Sequence, residues 1–164
     1  MNSIPGLPAP SDLCLRNAAD SDAFAIARLI RESKKAAMPW LPVVHSLEED
    51  VGWVSNVLLR EQVVTLVTHD EDLVGVLATT PGWVEQLYVS PGQQGRGIGS
   101  LLLRSAMDAA AGPIRLWTFQ RNLRARRFYE RHGFVVVGTT DGENEEKQPD
   151  VLYQYGTTAS DEES

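Results

Sequence analysis

A glycine-rich segment between a strand and a helix is the feature that most restricts how this chain can fold. The segment reads Leu87-Tyr88-Val89-Ser90-Pro91-Gly92-Gln93-Gln94-Gly95-Arg96-Gly97-Ile98-Gly99-Ser100. Its turn presents unpaired backbone N–H groups at the positive end of a helix dipole, where a pyrophosphate binds well. Glycines at 95, 97 and 99 let a phosphate approach without meeting a Cβ, and Gln94 and Arg96 add side-chain donors.

Two well-known phosphate loops do not match this segment. The dinucleotide-binding fingerprint requires a third glycine where this chain has Ser100, and the P-loop requires a lysine that is absent. For the glycines alone, a tight turn from strand to helix without any ligand is an equally good interpretation.

The rest of the chain predicts one α/β (α+β) domain. A first helix should end near Met38–Pro42, because each proline disfavours helix in the residue before it. Ser46 and Glu49 form a capping box that opens a second helix. The order β-α-α-β-β-β-α-β-α-β-β indicates a mixed sheet of about seven strands with about four helices. We expect a single domain over 13–156, a flexible N-terminal segment over 1–12 and an acidic flexible tail over 157–164.

Charge and composition exclude several classes of protein. The net charge of −7 lies in two segments, because Asp141–Asp150 carries five acids against Lys147 and Asp161–Glu163 carries three more. A neutral body argues against a nucleic-acid surface. No apolar run reaches the roughly 18 residues of a membrane span, and no secretory signal is visible. We therefore expect a cytoplasmic protein without a nucleic-acid or membrane partner. Cys14 is the only cysteine and the histidines lack metal-ligand spacing, so we expect no disulfide and no metal.

A second motif lies in the helix that is predicted to begin at Asn122. Its members are Asn122, Ala125, Phe128, Tyr129, Gly133 and Phe134. Together with Gln94-x-x-Gly97-x-Gly99 after a strand, this pattern resembles the GNAT superfamily, the Gcn5-related N-acetyltransferases. The order of elements from Leu13 to Tyr155 is similar too. The resemblance implies a mixed, mostly antiparallel central sheet that is splayed between the fourth and fifth strands, with acetyl-CoA as cosubstrate in the gap.

The resemblance also implies which residues bind acetyl-CoA. The pantetheine arm would pair with the backbone of Leu87 and Val89, and Asn122 would touch it from the other side. The pyrophosphate would lie on Gln94–Ser100. The full set of expected contacts is Leu87, Tyr88, Val89, Gln94, Gly95, Arg96, Gly97, Ile98, Gly99, Ser100, Asn122, Phe128 and Tyr129.

Two residues are candidates for the chemistry. Tyr129 resembles the family tyrosine that protonates the departing thiolate, and a phenol of pKa about 10 keeps its proton at neutral pH. A helix aromatic packed beside Phe128 is the alternative. Glu85 is the candidate base for the acceptor ammonium, because alternation puts Trp83, Glu85 and Leu87 on one strand face, where several relatives carry that residue. A solvated glutamate, or one that only positions the amine, is the alternative.

The acidic segment 141–150 lies in a predicted hairpin that reaches the acceptor pocket in this family, opposite Trp40. We expect Glu145, Glu146 or Asp150 to grip a small cationic amine and Trp40 to offer it an aromatic face. A surface loop kept polar by its charge is the alternative.

The favoured function is N-acetyl transfer from acetyl-CoA to the primary amine of a small molecule or peptide by direct attack. Two alternatives stay open, a catalytically degenerate acyl-CoA-binding or sensing module and a nucleotide-binding protein. Intact Asn122 and Tyr129 argue against the first, and the missing lysine and third glycine argue against the second. Dimers are common in the family, so a homodimer is a further expectation.

Overall fold

The structure is a computed structural model that describes residues 13–157. The predicted flexible segments lie outside these residues, apart from Thr157, so the domain boundaries stay predictions. No helix in the described part of the chain combines the length and the apolar composition that a membrane crossing requires.

The strands form one mixed sheet. Between residues 13 and 157 they are β1 (Leu13–Asn17), β2 (Val63–His69), β3 (Asp72–Thr80), β4 (Trp83–Val89), β5 (Ile114–Phe119), β6 (Val135–Thr140) and β7 (Asp150–Tyr155). Their order across the sheet is β1-β2-β3-β4-β5-β7-β6. All neighbours are antiparallel except β4 and β5, which run parallel. The predicted mixed, mostly antiparallel sheet is confirmed.

The sheet opens between β4 and β5. The two strands pair at Trp83 and Arg115 alone, near the start of each strand. Beyond that point β4 is paired only with β3, and β5 is paired only with β7. The predicted splay is therefore present, and a gap lies between the carboxyl ends of the two strands.

Within the described residues, four helical bodies flank the sheet. They are α1 (Ala23–Ala37), a continuous helix made of α2 (Leu47–Trp53), a π-helical turn (Val54–Leu58) and α3 (Leu59–Glu61), then α4 (Ile98–Ala109) and α5 (Leu123–Arg131). A short 3₁₀ turn (Asp20–Asp22) precedes α1. The helix α1 ends just before Met38 and Pro39, as the proline rule predicts. At α2, Glu49 N donates to Ser46 Oγ and Ser46 N donates to Glu49 Oε1, both at 3.1 Å, so the capping box is confirmed.

Each face of the sheet carries its own core. Leu77 of β3 packs with α4 and α5 on one face, among residues such as Leu102 and Tyr129. Val76, which directly precedes Leu77, packs on the other face with α1 and the α2–α3 helix, among residues such as Ile26. The alternation of side chains along β3 thus separates the two layers.

The helix α4 lies unusually close to the sheet at Gly75. A Cβ on Gly75 would lie 2.8 Å from Ile98 Cγ2 and 2.9 Å from Leu102 Cδ1. Both neighbours are fully buried, so neither can move aside without disturbing the core. The missing side chain of Gly75 therefore sets the position of α4.

Gly75→Ala should destabilise the fold by about 1–3 kcal/mol, the usual cost of overpacking a tight core. Gly52→Ala is the matched control, because Gly52 lies inside α2 and a Cβ there meets no atom within 4 Å. We expect the control to raise stability by about 0.5–1 kcal/mol through helix propensity. Urea unfolding followed by circular dichroism measures both changes. Equal stability of the two variants would contradict the close approach of α4.

Candidate active site

Three glycines between β4 and α4 hold the chain in a left-handed conformation. Gly92, Gly95 and Gly97 have φ angles of +85°, +82° and +82°. A Cβ on any of them would meet no atom within 4 Å, so the loop borders open space. Gly97 is the N-cap of the 12-residue α4 and brings no side chain to cap it. The first N–H groups of α4 therefore lack a side-chain acceptor at an open surface, as an anion site requires.

Gly99 differs from the other loop glycines, because it faces packed side chains rather than open space. A Cβ there would lie 3.4 Å from Phe128 Cζ and 3.6 Å from Val89 Cγ2. His132 adds a second link between the helices, since its Nδ1 lies 2.8 Å from the Phe128 carbonyl and its Nε2 lies 3.1 Å from Ser100 Oγ. A carbonyl only accepts, so Nδ1 donates, and Nε2 of the neutral ring accepts from Ser100. The first turn of α4 is thereby fixed against α5.

The edge of β4 that faces β5 is open beyond Trp83. An unpaired strand edge offers backbone groups to an extended ligand. At the end of this edge, the Val89 carbonyl accepts from Ser33 Oγ of α1 at 2.8 Å and more weakly from Gln94 Nε2 at 3.5 Å. A ligand that binds this carbonyl would share it with Ser33.

Two more of the expected contact residues already have partners in the protein. Arg96 Nη1 donates to Gln93 Oε1 at 3.1 Å, which holds the guanidinium along the loop. Asn122 Oδ1 accepts from Ala125 N at 3.2 Å, so this side chain caps α5. The amide nitrogen of Asn122 is left to contact a ligand.

Tyr129 lies on α5 among aromatic rings and is 8% exposed. It packs against Phe128, Phe134 and Tyr153. Burial and then the charge of Tyr88 raise the pKa of its phenol above the ordinary value of 10. Within residues 13–157 its hydroxyl forms no hydrogen bond with another residue. Because its pKa is raised, the Tyr129 hydroxyl stays protonated at neutral pH.

A β-bulge interrupts β4 at Glu85. Ala78 of β3 pairs with Gln86, whereas the next residue, Thr79, pairs with Val84. Glu85 is left without a partner on β3. One extra residue on a strand reverses the alternation of its side chains beyond that point.

The bulge overturns the predicted face of β4. Val84 and Leu87 both pack in the core beneath α4, so Trp83 and Leu87 lie on opposite faces. The prediction that Trp83, Glu85 and Leu87 share a face is wrong, because strict alternation does not survive the inserted residue. Glu85 is exposed, and its Oε1 accepts from Thr80 Oγ1 at 2.7 Å. The role of Glu85 as the base stays a prediction, and the argument from a shared strand face no longer supports it.

A cleft of about 700 Å³ lies between α1, α2, the segment that joins them and the loop between β6 and β7. Gln86 of β4, rather than Glu85, is among the residues that line it. The apolar part of the lining comes mainly from Ile30, Met38, Leu41, Val43, Val44, Trp53 and Val54. A concave site of this size with apolar walls and a few polar groups suits a small molecule or an inserted side chain.

Trp40 does not line this cleft, which departs from the expected aromatic face. The guanidinium carbon of Arg121 lies 4.3 Å from the centroid of the Trp40 ring, and Phe119 packs edge-on at 5.9 Å. A protein cation thus already occupies the ring. Trp53 of α2 is the tryptophan that borders the cleft.

The acids of the β6–β7 loop have different partners. Asp150 has both oxygens engaged within the loop, by Thr140 Oγ1 at 2.5 Å and Asn144 Nδ2 at 3.0 Å. Glu145 Oε1 lies 2.5 Å from Nε2 of His45, in the segment that joins α1 and α2. These two acids therefore organise the loop and its contact across the cleft.

Glu146 is the acid of this loop that remains available. It is half-buried and lines both the 700 Å³ cleft and a second one of about 470 Å³ beside Trp117 and Phe119. Within residues 13–157 no hydrogen bond or ion pair occupies its carboxylate. Burial and then the charge of Glu146 raise the pKa of Tyr88 above its ordinary value of 10.

The prediction from sequence missed Lys34 and His45. Both Lys34 and His45 line the cleft, and Lys34 Nζ lies 5.9 Å from the centroid of the Tyr88 ring. A signal for Lys34 was present, since it belongs to the Lys34-Lys35 pair and the chain has only three lysines. No local signal pointed to His45, because Glu145, its partner, is a hundred residues away.

No three His, Cys, Asp or Glu side chains of residues 13–157 are grouped closely enough to hold a metal ion. The expectation of no metal remains a prediction.

Comparison with known proteins gives a consistent result. Residues 27–134 match the profile of the acetyltransferase (GNAT) family. The chain is 30% identical over 88 residues to the peptidyl-lysine N-acetyltransferase YjaB of Salmonella typhimurium, which covers 54% of this chain and 60% of that relative. The chain is also 35% identical over 80 residues to the uncharacterized N-acetyltransferase Mb2688 of Mycobacterium bovis, a match that covers 43% of this chain and 51% of that relative.

Solved structures resemble this fold over nearly its full length. Apo YjaB from Escherichia coli superposes with a TM-score of 0.73 at 20% identity, covering 88% of this chain and 99% of that one. YncA, a putative acetyltransferase from Salmonella typhimurium solved with acetyl-CoA, superposes with a TM-score of 0.67 at 20% identity, covering 90% and 95%. At this level of identity the likeness shows the fold.

The contact between His45 and Glu145 should titrate. Hydrogen bonds that the His45 ring donates to Glu145 and then to Glu49 raise its pKa above the ordinary value of 6.5. Arg31 Nη1 donates to the His45 carbonyl nearby. A raised pKa in the folded state means that the contact is fully stabilising below about pH 6.5 and is lost as the pH rises through the raised pKa. Titration of the His45 ring by NMR should give a midpoint above 6.5, and Glu145→Gln should lower it. The matched control Glu143→Gln, in the same loop, should leave it unchanged. A His45 midpoint that stays the same in Glu145→Gln would contradict the contact between His45 and Glu145.

Proposed function

The chain belongs to the acetyltransferase (GNAT) family, and on that premise we propose that it transfers an acetyl group from acetyl-CoA to a primary amine. The observation that carries the proposal is the open glycine loop at an uncapped helix N-terminus, beside the gap between β4 and β5. The strand gap runs along the last residues of β4, and the anion site follows directly after them. An extended ligand that carries a phosphate requires these two features side by side.

The residues present fit acetyl-CoA. The pyrophosphate would bind the N–H groups of Gly95–Ser100, where Gly95 and Gly97 leave room that a Cβ would fill. The pantetheine arm would lie along the open edge of β4, near Leu87 and Val89, with the Asn122 amide on the other side. When bound, acetyl-CoA supplies an acetyl thioester that an amine can attack directly.

Tyr129 is the proposed general acid. Its raised pKa keeps the phenol protonated, and its hydroxyl lacks a competing partner among the described residues. It can therefore deliver a proton to the departing sulfur as the carbon–nitrogen bond forms and the carbon–sulfur bond breaks.

The 700 Å³ cleft is the proposed acceptor site, with Glu146 holding the ammonium. The other lining carboxylates are engaged, Asp50 by Arg31 and both Glu49 and Glu145 by His45. Glu146 thus attracts the amine and can accept the proton that it must lose before it attacks. The name of YjaB gives peptidyl lysine as that relative's acceptor. A lysine side chain and a small amine both fit the size of the cleft.

Titration calorimetry with acetyl-CoA, CoA, ATP and NAD, followed by a thiol-release assay against amines, tests the proposal. We expect binding of acetyl-CoA and CoA and release of free thiol with an amine. Binding of acetyl-CoA without thiol release for any amine would favour the degenerate acyl-CoA-binding module. Tight binding of ATP or NAD without acetyl-CoA would favour the nucleotide-binding protein. A homodimer and a cytoplasmic location stay predictions.

Gly97→Ala should weaken acetyl-CoA binding about tenfold or more, because its Cβ would enter the space assigned to the phosphate. Gly92→Ala is the matched control, since Gly92 has the same left-handed backbone and open surroundings but lies outside the assigned phosphate contacts. Both variants should lose about 1 kcal/mol of stability, the cost of a left-handed alanine. Calorimetric dissociation constants separate the two effects. Equal affinity of the two variants would contradict the assigned loop.

Tyr129→Phe should lower kcat roughly ten- to a thousandfold with little change in acetyl-CoA affinity, as loss of a general acid does. Tyr155→Phe is the control, because Tyr155 is 39% exposed on β7. Steady-state kinetics with the best amine found by the thiol-release assay give the comparison. If Tyr129→Phe kept the wild-type kcat, Tyr129 would not be the general acid and its role would be packing alone.

A further inference from the structure

Most charged side chains that line the acceptor cleft already contact one another. Arg31 Nη1 lies 2.9 Å from Asp50 Oδ2, and His45 lies between Glu49 and Glu145. These contacts link α1, α2 and the β6–β7 loop around the cleft. Because these groups are engaged, a ligand would meet the unpaired side chains first.

Three lining charges are left over. They are Lys34 and Lys35 in the last turn of α1 and Glu146 in the β6–β7 loop. None of them belongs to an ion pair within residues 13–157. Lys34 is half-buried and Lys35 is exposed, so Lys34 is the lysine that a ligand inside the cleft would meet.

Lys34 and Glu146 line the same cleft without contacting each other as an ion pair among the described residues. The ammonium of Lys34 lies 5.9 Å from the centroid of the Tyr88 ring, and burial and then the charge of Glu146 raise the pKa of the same tyrosine. Opposite charges so placed, without a direct ion pair, are complementary to a ligand that carries the reverse pair of charges.

A purely cationic acceptor fits this arrangement poorly. It would satisfy Glu146 but would leave Lys34, the half-buried lysine of the cleft, without a partner of opposite charge. Apolar side chains such as Ile30 and Val54 also line the cleft and suit a hydrocarbon spacer between two polar ends.

We infer that the acceptor is dipolar, with its primary amine bound at Glu146 and an anionic oxygen group, a carboxylate or a phosphate, bound at Lys34. This inference rests on the proposed acetyl transfer and narrows its substrate class. The acidic loop still binds the ammonium group of the acceptor, as the sequence predicts. The acceptor as a whole, however, carries one positive and one negative group instead of a net positive charge.

Matched acceptors test the inference. Kinetics would be measured with ω-amino acids of increasing chain length, their primary amides, the corresponding diamines and ω-aminoalkylphosphonates. Acid and amide present nearly the same amine, so their ratio of kcat/KM isolates the anionic group. At the best chain length we expect the acid or the phosphonate to exceed the amide about ten- to a hundredfold, the usual effect of one charge-assisted hydrogen bond. The better of the two anions identifies the group.

Variants assign the effect to a residue. Lys34→Met should bring the ratio of acid to amide close to one, through KM, while the dissociation constant for acetyl-CoA stays unchanged. Lys147→Met is the matched control, because Lys147 lies in the β6–β7 loop but lines neither cleft, and it should retain the ratio. Glu146→Gln should lower kcat/KM for acid and amide alike. Thermal melting confirms that each variant is folded.

The possible failures are distinct. Acids and amides used equally well, or a preference for diamines, would overturn the dipolar acceptor and leave acetyl transfer standing. The dipolar acceptor would also be overturned if Lys34→Met weakened acetyl-CoA binding and kept the wild-type ratio of kcat/KM for acid and amide. That result would assign Lys34 to cosubstrate binding. Acetyl-CoA binding without transfer to any of these amines would overturn the proposed function and the inference together.

Discussion

The single pairing of β4 with β5, at Trp83 and Arg115, is the constraint on which the rest of the structure depends. Because the strands part beyond it, their carboxyl ends border a gap, and α4 and α5 pack in one core beside it. Gly75 makes that packing tight, because a Cβ there would lie 2.8 Å from Ile98 and 2.9 Å from Leu102 of α4. At Gly99, the start of α4 faces Phe128 of α5. The anion site therefore lies at the start of a helix that packs closely on the sheet and on α5.

The other side of the sheet has a different character. There the walls of the acceptor cleft come from elements distant in sequence and are joined by polar contacts, such as His45 with Glu145 and Arg31 with Asp50. Exposed ion pairs of this kind stabilise weakly. Each side of the sheet is thus held by its own core, and polar contacts join the rim of the acceptor cleft. The charges left unpaired in this cleft are the ones that can select a substrate.

Local signals in the sequence predicted much of the fold. The prolines after Met38 ended α1, the Ser46–Glu49 box began α2, and the glycine loop opened α4, because each signal acts within a few residues. Contacts between distant residues could not be predicted in this way. One bulged residue at Glu85 reversed the face of β4, and neither the stacking of Arg121 on Trp40 nor the pairing of Glu145 with His45 leaves a local pattern. The sequence located the acidic loop but did not distinguish the free Glu146 from its engaged neighbours.

Mapping of backbone amide shifts by NMR, during titration of the isotope-labelled protein with CoA, tests the central claim most directly. The claim is that one ligand spans the glycine loop and the gap between β4 and β5. We expect the largest shifts at Gly95–Ser100 and at Leu87 and Val89, with smaller ones at the start of α5. Shifts confined to α1 and the β6–β7 loop, with the amides of Gly95–Ser100 unmoved, would contradict it.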